Sequence, residues 1–524
     1  MPPRQLGLHM VLVIVLLALG LSFLFVEGAF APICVSLGIM GGVSVALVLL
    51  WRRRRIGVLP VVLWAVYALP FVHLLTYLGF SESTESNTRL FGGFRTRYYS
   101  LIDDVVWSSG HLAAIGALVF LIGVLLLAGR SDGHNRARDE RASRPISMVS
   151  FSVLCLIATA LARFAAPTSS ITESAYANDS AAGSVNFDSA SFVAAVIYLV
   201  LFADSLFDRQ RERRRSKLLL LGAMLFLALI LFGLMRGDRP ILPVILGMAL
   251  MATTWSTSFG LRPLIRLRIL PVVAVIVFAQ LVNSALENVR STVWSFVSEE
   301  GVVDGIAASI RAARPSLSWL YEGTWSGILL PHQSMMHTYT TAGYNFKFGQ
   351  TYLDYLGSIL PGFLANAIGF SRPIDSGRGP HWEFEQTMGG IHVSQVPFMN
   401  FGVFGVVLFM LLVGLLSVLL ERKCMRMRSP LALAFLGLMA FAAPRWFWYG
   451  DKSLISALLI FAAIAFLYRM LSFVREARDM PEASLVSESH LARMGLEKMP
   501  QGTPIEVVSP PSLGETHPSP NRPS

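Results

Sequence analysis

Val43-Ser44-Val45-Ala46-Leu47-Val48-Leu49-Leu50-Trp51-Arg52-Arg53-Arg54-Arg55-Ile56 sets an apolar run against four consecutive arginines. Counted from residue 31 to 51, the run is long enough to cross a bilayer as a helix of about 20 residues. The arginines mark the face that positive charge prefers, the cytoplasmic one. The same juxtaposition returns along the chain. Basic clusters at 52–55, 130–144, 209–217, 262–268 and 422–428 follow alternate hydrophobic spans, whereas the short loops 27–31 and 167–189 hold no Arg or Lys. That alternation predicts a multi-pass protein with both ends in the cytoplasm.

The composition agrees. With 524 residues, 54% of them hydrophobic and only 15% charged, this is not an ordinary soluble chain. The mean hydropathy is +0.58. Twelve stretches approach bilayer length: 6–26, 31–51, 57–79, 111–129, 146–166, 190–207, 218–235, 241–260, 269–286, 398–420, 431–449 and 453–471. The alternating polarity of barrel strands is missing, so the expected fold is all-α, each span satisfying its own backbone. The net charge of +10 sits mostly in the expected cytoplasmic loops and reads as topology. No basic run is interleaved with stacking aromatics, so nucleic acid is not an expected partner. Cys34, Cys155 and Cys424 are too scattered for a disulfide or zinc framework. Ala29-Phe30-Ala31 resembles a signal cleavage site, but the preceding run is long and its basic region is only Arg4, so a retained helix is expected.

Four regions follow from this pattern: nine spans with short loops over 1–286, a long outer segment over 287–397, three spans over 398–474, and a cytoplasmic tail over 475–524. The end of the tail is rich in Pro, Ser and Gly and reads as disordered. Within the outer segment, 352–370 is apolar enough to suggest a further span. That span would put the basic residues of 422–428 outside, and Asp354 and Pro361 suit a re-entrant or interfacial helix better. A smaller outer loop is expected over 80–110, with Arg89, Arg95 and Arg97.

Some cations break the charge rule. Met235-Arg236-Gly237-Asp238-Arg239-Pro240 is a short turn on the outer face with two guanidiniums. Arginines at helix ends also snorkel to headgroups. A pair in a Gly/Pro turn on the depleted face points equally to phosphate, whose oxygens match the planar guanidinium fork. The long outer segment adds Arg290, Arg311, Arg314, Arg372 and Arg378, and Arg445 ends the eleventh span with Lys452 close by in sequence.

Histidines gather in the same segment: His332, His337, His381 and His392. An imidazole titrating near neutrality can accept a proton from a sugar hydroxyl. His381-Trp382-Glu383-Phe384-Glu385 lacks a helical ligand pair and is not read as a metal site. Gly389-Gly390-Ile391-His392-Val393-Ser394 runs into Asn400-Phe401-Gly402-Val403-Phe404-Gly405 at the start of the tenth span. Glycines permit the tight turn of a re-entry loop but give no reason for the neighbouring histidine. Trp319, Tyr321, Trp325, Tyr339, Tyr344 and Trp382 are candidates to stack on sugars or to anchor at the interface.

This layout resembles the O-antigen polymerase (Wzy) and O-antigen ligase group of bacterial membrane glycosyltransferases, which are GT-C-like. Three places carry the resemblance: the helix ending in the outer arginine turn (218–240), the segment Gly349-Gln350-Thr351-Tyr352-Leu353-Asp354-Tyr355-Leu356-Gly357-Ser358-Ile359-Leu360-Pro361, and Gly389-Gly390 followed by Asn400-Phe401-Gly402 and Gly405. The first half of the chain matches only in hydropathy. An Arg, ten residues, then Gly pattern described for the family fits Arg236 with Gly247 and Arg378 with Gly389, though in a chain this rich in Arg and Gly such matches carry little weight. Many relatives place a carboxylate between the two glycine elements; here the interval holds Gln395 and no acid, which favours His392 as base.

The resemblance implies en bloc transfer of a growing polyprenyl-pyrophosphate-linked glycan onto the next lipid-linked repeat unit, at the periplasmic face of the bacterial inner membrane. The donor carries its own leaving group, so neither metal nor cofactor is expected. On this reading Arg236 and Arg239, with Arg378 or Arg445, stabilise pyrophosphate, and His392 receives the acceptor proton. Glu383, Glu385 and His337 are second choices for the base, and Arg314 is a further outer cation near the substrate. A flippase and a chain-length regulator of the same pathway are the candidate protein partners. The rival readings are a lipid-linked oligosaccharide flippase and an O-antigen ligase.

Overall fold

The computed structural model describes residues 30–78, 102–128, 187–207, 246–251, 326–341, 345–353, 391–427 and 429–478, with a few single positions between them. The chain divides into two compact units, Met1–Ser472 and Phe473–Ser524. Of the second, the described part is the end of a helix that reaches Arg478. The α-helices named below are α1 (Phe30–Arg52), α2 (Leu59–Ala68), α3 (Ile102–Leu127), α4 (Phe187–Phe207), α5 (Ser326–Thr341), α6 (Gln395–Met427), α7 (Pro430–Tyr449) and α8 (Asp451–Arg478). A 3-10 segment, Leu69–Leu78, continues α2.

Among the described residues, five stretches are long and apolar enough to cross a membrane: Ile33–Arg52, Ser109–Leu127, Gln395–Met427, Pro430–Trp448 and Ser453–Met470. They coincide with the expected spans 31–51, 111–129, 398–420, 431–449 and 453–471. The expected spans 57–79 and 190–207 contain the shorter apolar helices Leu59–Leu74 and Ala195–Asp204. The chain is an all-α multi-pass membrane protein. The expected spans 6–26, 146–166, 218–235 and 269–286 and most of 241–260 lie outside the described residues, as does the tail beyond 478.

Close helix packing centres on α3 and α6. A methyl group at Gly123 would strike the backbone of Leu411 and Leu415, and one at Gly414 would strike the Phe120 carbonyl. Small residues that let two backbones meet are how helices associate where lipid removes the hydrophobic drive. α1, α2, α5 and α7 complete the same core, with Leu47, Leu63, Met336 and Phe447 all buried in it.

One end of this bundle is organised by two adjacent side chains of α6. Glu421 is buried, and its Oε1 and Oε2 accept from the amides of Val58 (2.8 Å) and Leu59 (3.1 Å) at the start of α2. Arg422 Nη2 donates to the Leu127 carbonyl at the end of α3, at 2.9 Å. Each charge thus meets the helix terminus of opposite partial charge. Val58 has no side-chain cap of its own, and a side chain at Gly57 would occupy the place of the Glu421 carboxylate. Glu421→Ala strands the buried Leu59 amide and the partly buried Val58 amide and is expected to cost about 1–3 kcal/mol. Thermal unfolding in micelles should show the lowered midpoint, with Glu421→Gln, which keeps one acceptor oxygen, falling between.

One departure from the sequence reading, and one helix of the long segment, shape the other end. α3 begins at Ile102, inside the stretch expected as an outer loop, so Ser109 is a buried helical residue. α5, from the segment expected outside, contributes Leu329, Met335, Met336 and Tyr339 to the core.

Pro70 produces the third local feature. It has no N–H, so Val66 loses its α-helical partner and Tyr67 loses the i+3 partner that 3-10 geometry would give it. Both carbonyls are taken by side chains from elsewhere in the bundle. Trp448 Nε1 donates to Val66 at 2.8 Å, and His392 Nε2 bonds Tyr67 at 3.1 Å.

Candidate functional site: two buried histidines joined through a serine

His392 lies in the four-residue approach to α6, held against the end of α7. The amide of Ile391 donates to Trp448 O at 2.8 Å and that of Val393 to Phe447 O at 2.7 Å. This pairing carries His392 into the bundle, where it is 1% exposed. His332, fully buried on α5, meets it edge to face with ring centroids 5.5 Å apart. Tyr67 and Phe71 close over the His392 ring, at centroid distances of 4.8 and 4.9 Å.

Four hydrogen bonds join these groups in a line. Ser109 Oγ lies 2.7 Å from His332 Nδ1; His332 Nε2 lies 3.0 Å from Ser394 Oγ; Ser394 Oγ lies 2.7 Å from His392 Nδ1; and His392 Nε2 lies 3.1 Å from the Tyr67 carbonyl. The carbonyl can only accept, which fixes every proton in the line for two neutral rings. His392 Nε2 carries hydrogen and its Nδ1 is bare. Ser394 therefore gives its hydroxyl proton to Nδ1 and accepts from His332 Nε2–H. The bare Nδ1 of His332 then takes the Ser109 proton. The Ser394 amide adds a longer contact to His392 Nδ1 at 3.4 Å.

Burial makes charge costly here. It lowers the His392 pKa from 6.5 to about 4, opposed by the Tyr67 carbonyl, which favours the imidazolium. His332 is pulled well below its ordinary range by burial and then by repulsion from His392. An unfolded chain protonates these rings near 6.5 while the fold resists. Stability is thus complete above about pH 6.5 and lost on acidification toward about pH 4, with the His332 share lost lower still. The thermal midpoint is expected to fall between about pH 7 and about pH 5, and replacing both histidines by glutamine should flatten that slope.

A second junction adjoins the first along α6. The segment 345–353 lies against 396–402 through Lys347 N to Met399 O (3.0 Å) and Phe348 N to Asn400 O (3.1 Å). Asn400 Oδ1 accepts from Gly349 N at 2.7 Å, and Asn400 Nδ2 donates to Val396 O at 2.8 Å and to Thr351 Oγ1. The helix breaks immediately after, at Phe401 and Gly402. Gly402 has φ 62° and ψ −151°, a backbone open to glycine, and a side chain there would meet the Phe346 ring. The Gly349-Gln350-Thr351 and Asn400-Phe401-Gly402 elements, far apart in sequence, are thus bonded together.

Of the residues singled out from sequence, His392 is in the buried line. His337 lies on α5, and Arg445 is a partly buried residue of α7 three positions before Trp448. Arg236, Arg239, Arg314, Arg378, Glu383 and Glu385 lie outside the described residues. Among the described residues no three His, Cys, Asp or Glu side chains gather as a metal-ligand set.

Sequence reasoning named His332 without choosing it, and passed over Ser109, Ser394 and the Tyr67 carbonyl. Two signals pointed to the missed groups. Leu329, His332, Met336 and Tyr339 form a helical stripe that excludes His337, and Pro70 announces free carbonyls three and four residues before it. Nothing local marks Ser109.

The fold and this site define a helical multi-pass membrane protein with a buried histidine pair. No family model, curated protein or solved structure matches the chain.

Proposed function

We propose that this protein polymerises polyprenyl-pyrophosphate-linked oligosaccharide repeat units on the periplasmic face of the bacterial inner membrane. On this reading the chain has twelve spans, both termini are cytoplasmic, and the segment 287–397 faces the periplasm. The observation that carries the reading is the bonding of Gly349 and Thr351 to Asn400, close to His392. Parts of two of the three elements behind the family resemblance are thereby bonded together, on the helix that the His392 segment leads into.

The chemistry needs cations for the departing pyrophosphate and a proton acceptor for the attacking hydroxyl. Arg236 and Arg239, aided by Arg378, Arg445 or Arg314, supply the first; His392 supplies the second, with His337, Glu383 and Glu385 as alternatives. The product is an O-antigen, capsule or exopolysaccharide chain on its lipid carrier. Purified full-length protein given lipid-linked repeat units should form glycan of two or more repeats and release polyprenyl pyrophosphate in equal measure. Glycan that stays at one repeat would retire the polymerase reading.

One observation favours a different class. Buried polar side chains beside interrupted helices, here His332, His392, Asn400 and the break at Phe401-Gly402, are how transporters build a proton or substrate site. A proton-coupled flippase of the same lipid-linked glycan is therefore the second reading. A pH gradient across vesicles would drive its activity, whereas it would leave polymerisation unchanged.

A further inference from the structure

The hydrogen-bonded line has a direction, and it starts away from His392. That ring has no free nitrogen: Nε2 is held by Tyr67 and Nδ1 by Ser394. Aromatic rings pack on it, so a substrate hydroxyl has no approach. The other end of the line differs: Ser109 is also fully buried, but its hydroxyl donates to His332 and keeps lone pairs that can take up a proton. We propose that Ser109, His332 and Ser394 form a relay that delivers a proton to His392, which stores it for the reaction. The proposal rests on His392 being the proton acceptor of the reading above; the relay itself is tested without substrate.

The transfer balances without a redox step. A proton released by the attacking hydroxyl and carried inward to the buried Ser109 bonds to its Oγ. The original Ser109 proton moves to His332 Nδ1, the His332 Nε2 proton moves to Ser394 Oγ, and the Ser394 proton moves to His392 Nδ1. His392 becomes an imidazolium, with Nε2–H still on the Tyr67 carbonyl and Nδ1–H now on Ser394. Every intervening group returns to neutrality with its hydrogen bonds reversed. His332 therefore ends as the opposite tautomer. No new contact is required, because all three donor–acceptor distances lie between 2.7 and 3.0 Å already.

The surroundings limit the line to one proton. The groups on the two rings are each other, Phe71 and Tyr67, whose hydroxyl is turned away to Ala113 O at 2.9 Å. No described carboxylate contacts either ring, and with 5.5 Å between centroids a second imidazolium would be repelled. At the entry end Ser36 of α1, also fully buried, faces Gly110 beside Ser109, and His111 is the next titratable residue on α3. Ser109, His332 and Ser394 are positioning residues, acting through His392.

The test is nitrogen NMR of full-length protein labelled with 15N-histidine in lipid bilayers, titrated with acid. His332→Gln and His392→Gln spectra assign the two rings. At neutral pH both should carry hydrogen on Nε2 only. As His392 takes up its proton, His332 should stay neutral and lose the Nε2 hydrogen while gaining one on Nδ1. Ser394→Ala should uncouple the switch and Ser394→Thr, which keeps the hydroxyl, should restore it. A wild-type His332 that retains Nε2–H while His392 charges, or that charges first, overturns the relay. The wild-type titration decides this even if Ser394→Ala does not fold. Glycan chain length in a Ser394→Ala strain reports on the polymerase reading separately: unchanged length beside an intact tautomer switch would leave the relay standing and remove His392 from the transfer step.

Discussion

His392→Gln should lower glycan polymerisation by about 100-fold or more, the scale of a lost general base, while lipid-linked donor still binds. Glutamine is the informative replacement. Its amide can donate to the Tyr67 carbonyl as Nε2–H does, so the freed end of α2 stays capped. His392→Ala instead removes the partner of Tyr67 and of Ser394 in a fully enclosed place, and each stranded polar group costs about 1–3 kcal/mol. Thermal unfolding of both variants separates the two effects. A folded His392→Gln protein with no polymer formation assigns chemistry to the ring, whereas full polymer length in that variant would move the base elsewhere, to His337, Glu383 or Glu385 first.

Removing Arg236 or Arg239 should be as damaging for a different reason. These guanidiniums act on charge that develops as pyrophosphate leaves, and loss of one such contact costs about 100- to 1,000-fold in rate. Arg→Lys at either position keeps the positive charge but loses the planar fork that fits two phosphate oxygens, so it should recover only part of the activity. Repeat-unit consumption by purified variants gives the rates. Wild-type product from alanine at both positions would sink the pyrophosphate assignment and leave the pair as headgroup anchors.

The spans were legible where a single physical signal controls them. For α1, α3, α6, α7 and α8 that signal is an unbroken apolar run, and a helix is the way such a run satisfies its backbone in lipid. The Arg52–Arg55 and Arg422 clusters were equally plain, and Arg422 and Glu421 cap neighbouring helices at the same end of the bundle. Hydropathy was silent on what packing and proline decide. It read 57–79 as one span without showing that Pro70 turns its second half into a 3-10 segment. It left Ser109 in a loop, because the first turns of α3 are too polar for a hydropathy window. It kept α5 outside the spans, and α5 is not among the helices long and apolar enough to cross a membrane, but it gave no sign that the stripe with His332 and Gln333 is buried in the core.

The site was half legible for the same reason. His392 stood out as a histidine beside glycines with no structural excuse. Its partners come from α2, α3 and α5, up to 325 positions away in sequence, and only folding brings them together. The bond from Gly349 to Asn400 spans 51 positions; sequence marked both of its ends without placing them together.

The most direct measurement is the length distribution of surface and lipid-linked glycan in cells lacking this gene. Polymerase function predicts that the ladder of chain lengths collapses to a single repeat unit on the periplasmic side, and that the intact gene restores it. Long chains left on the polyprenyl carrier would contradict this in favour of a ligase, and single units held on the cytoplasmic leaflet would contradict it in favour of a flippase.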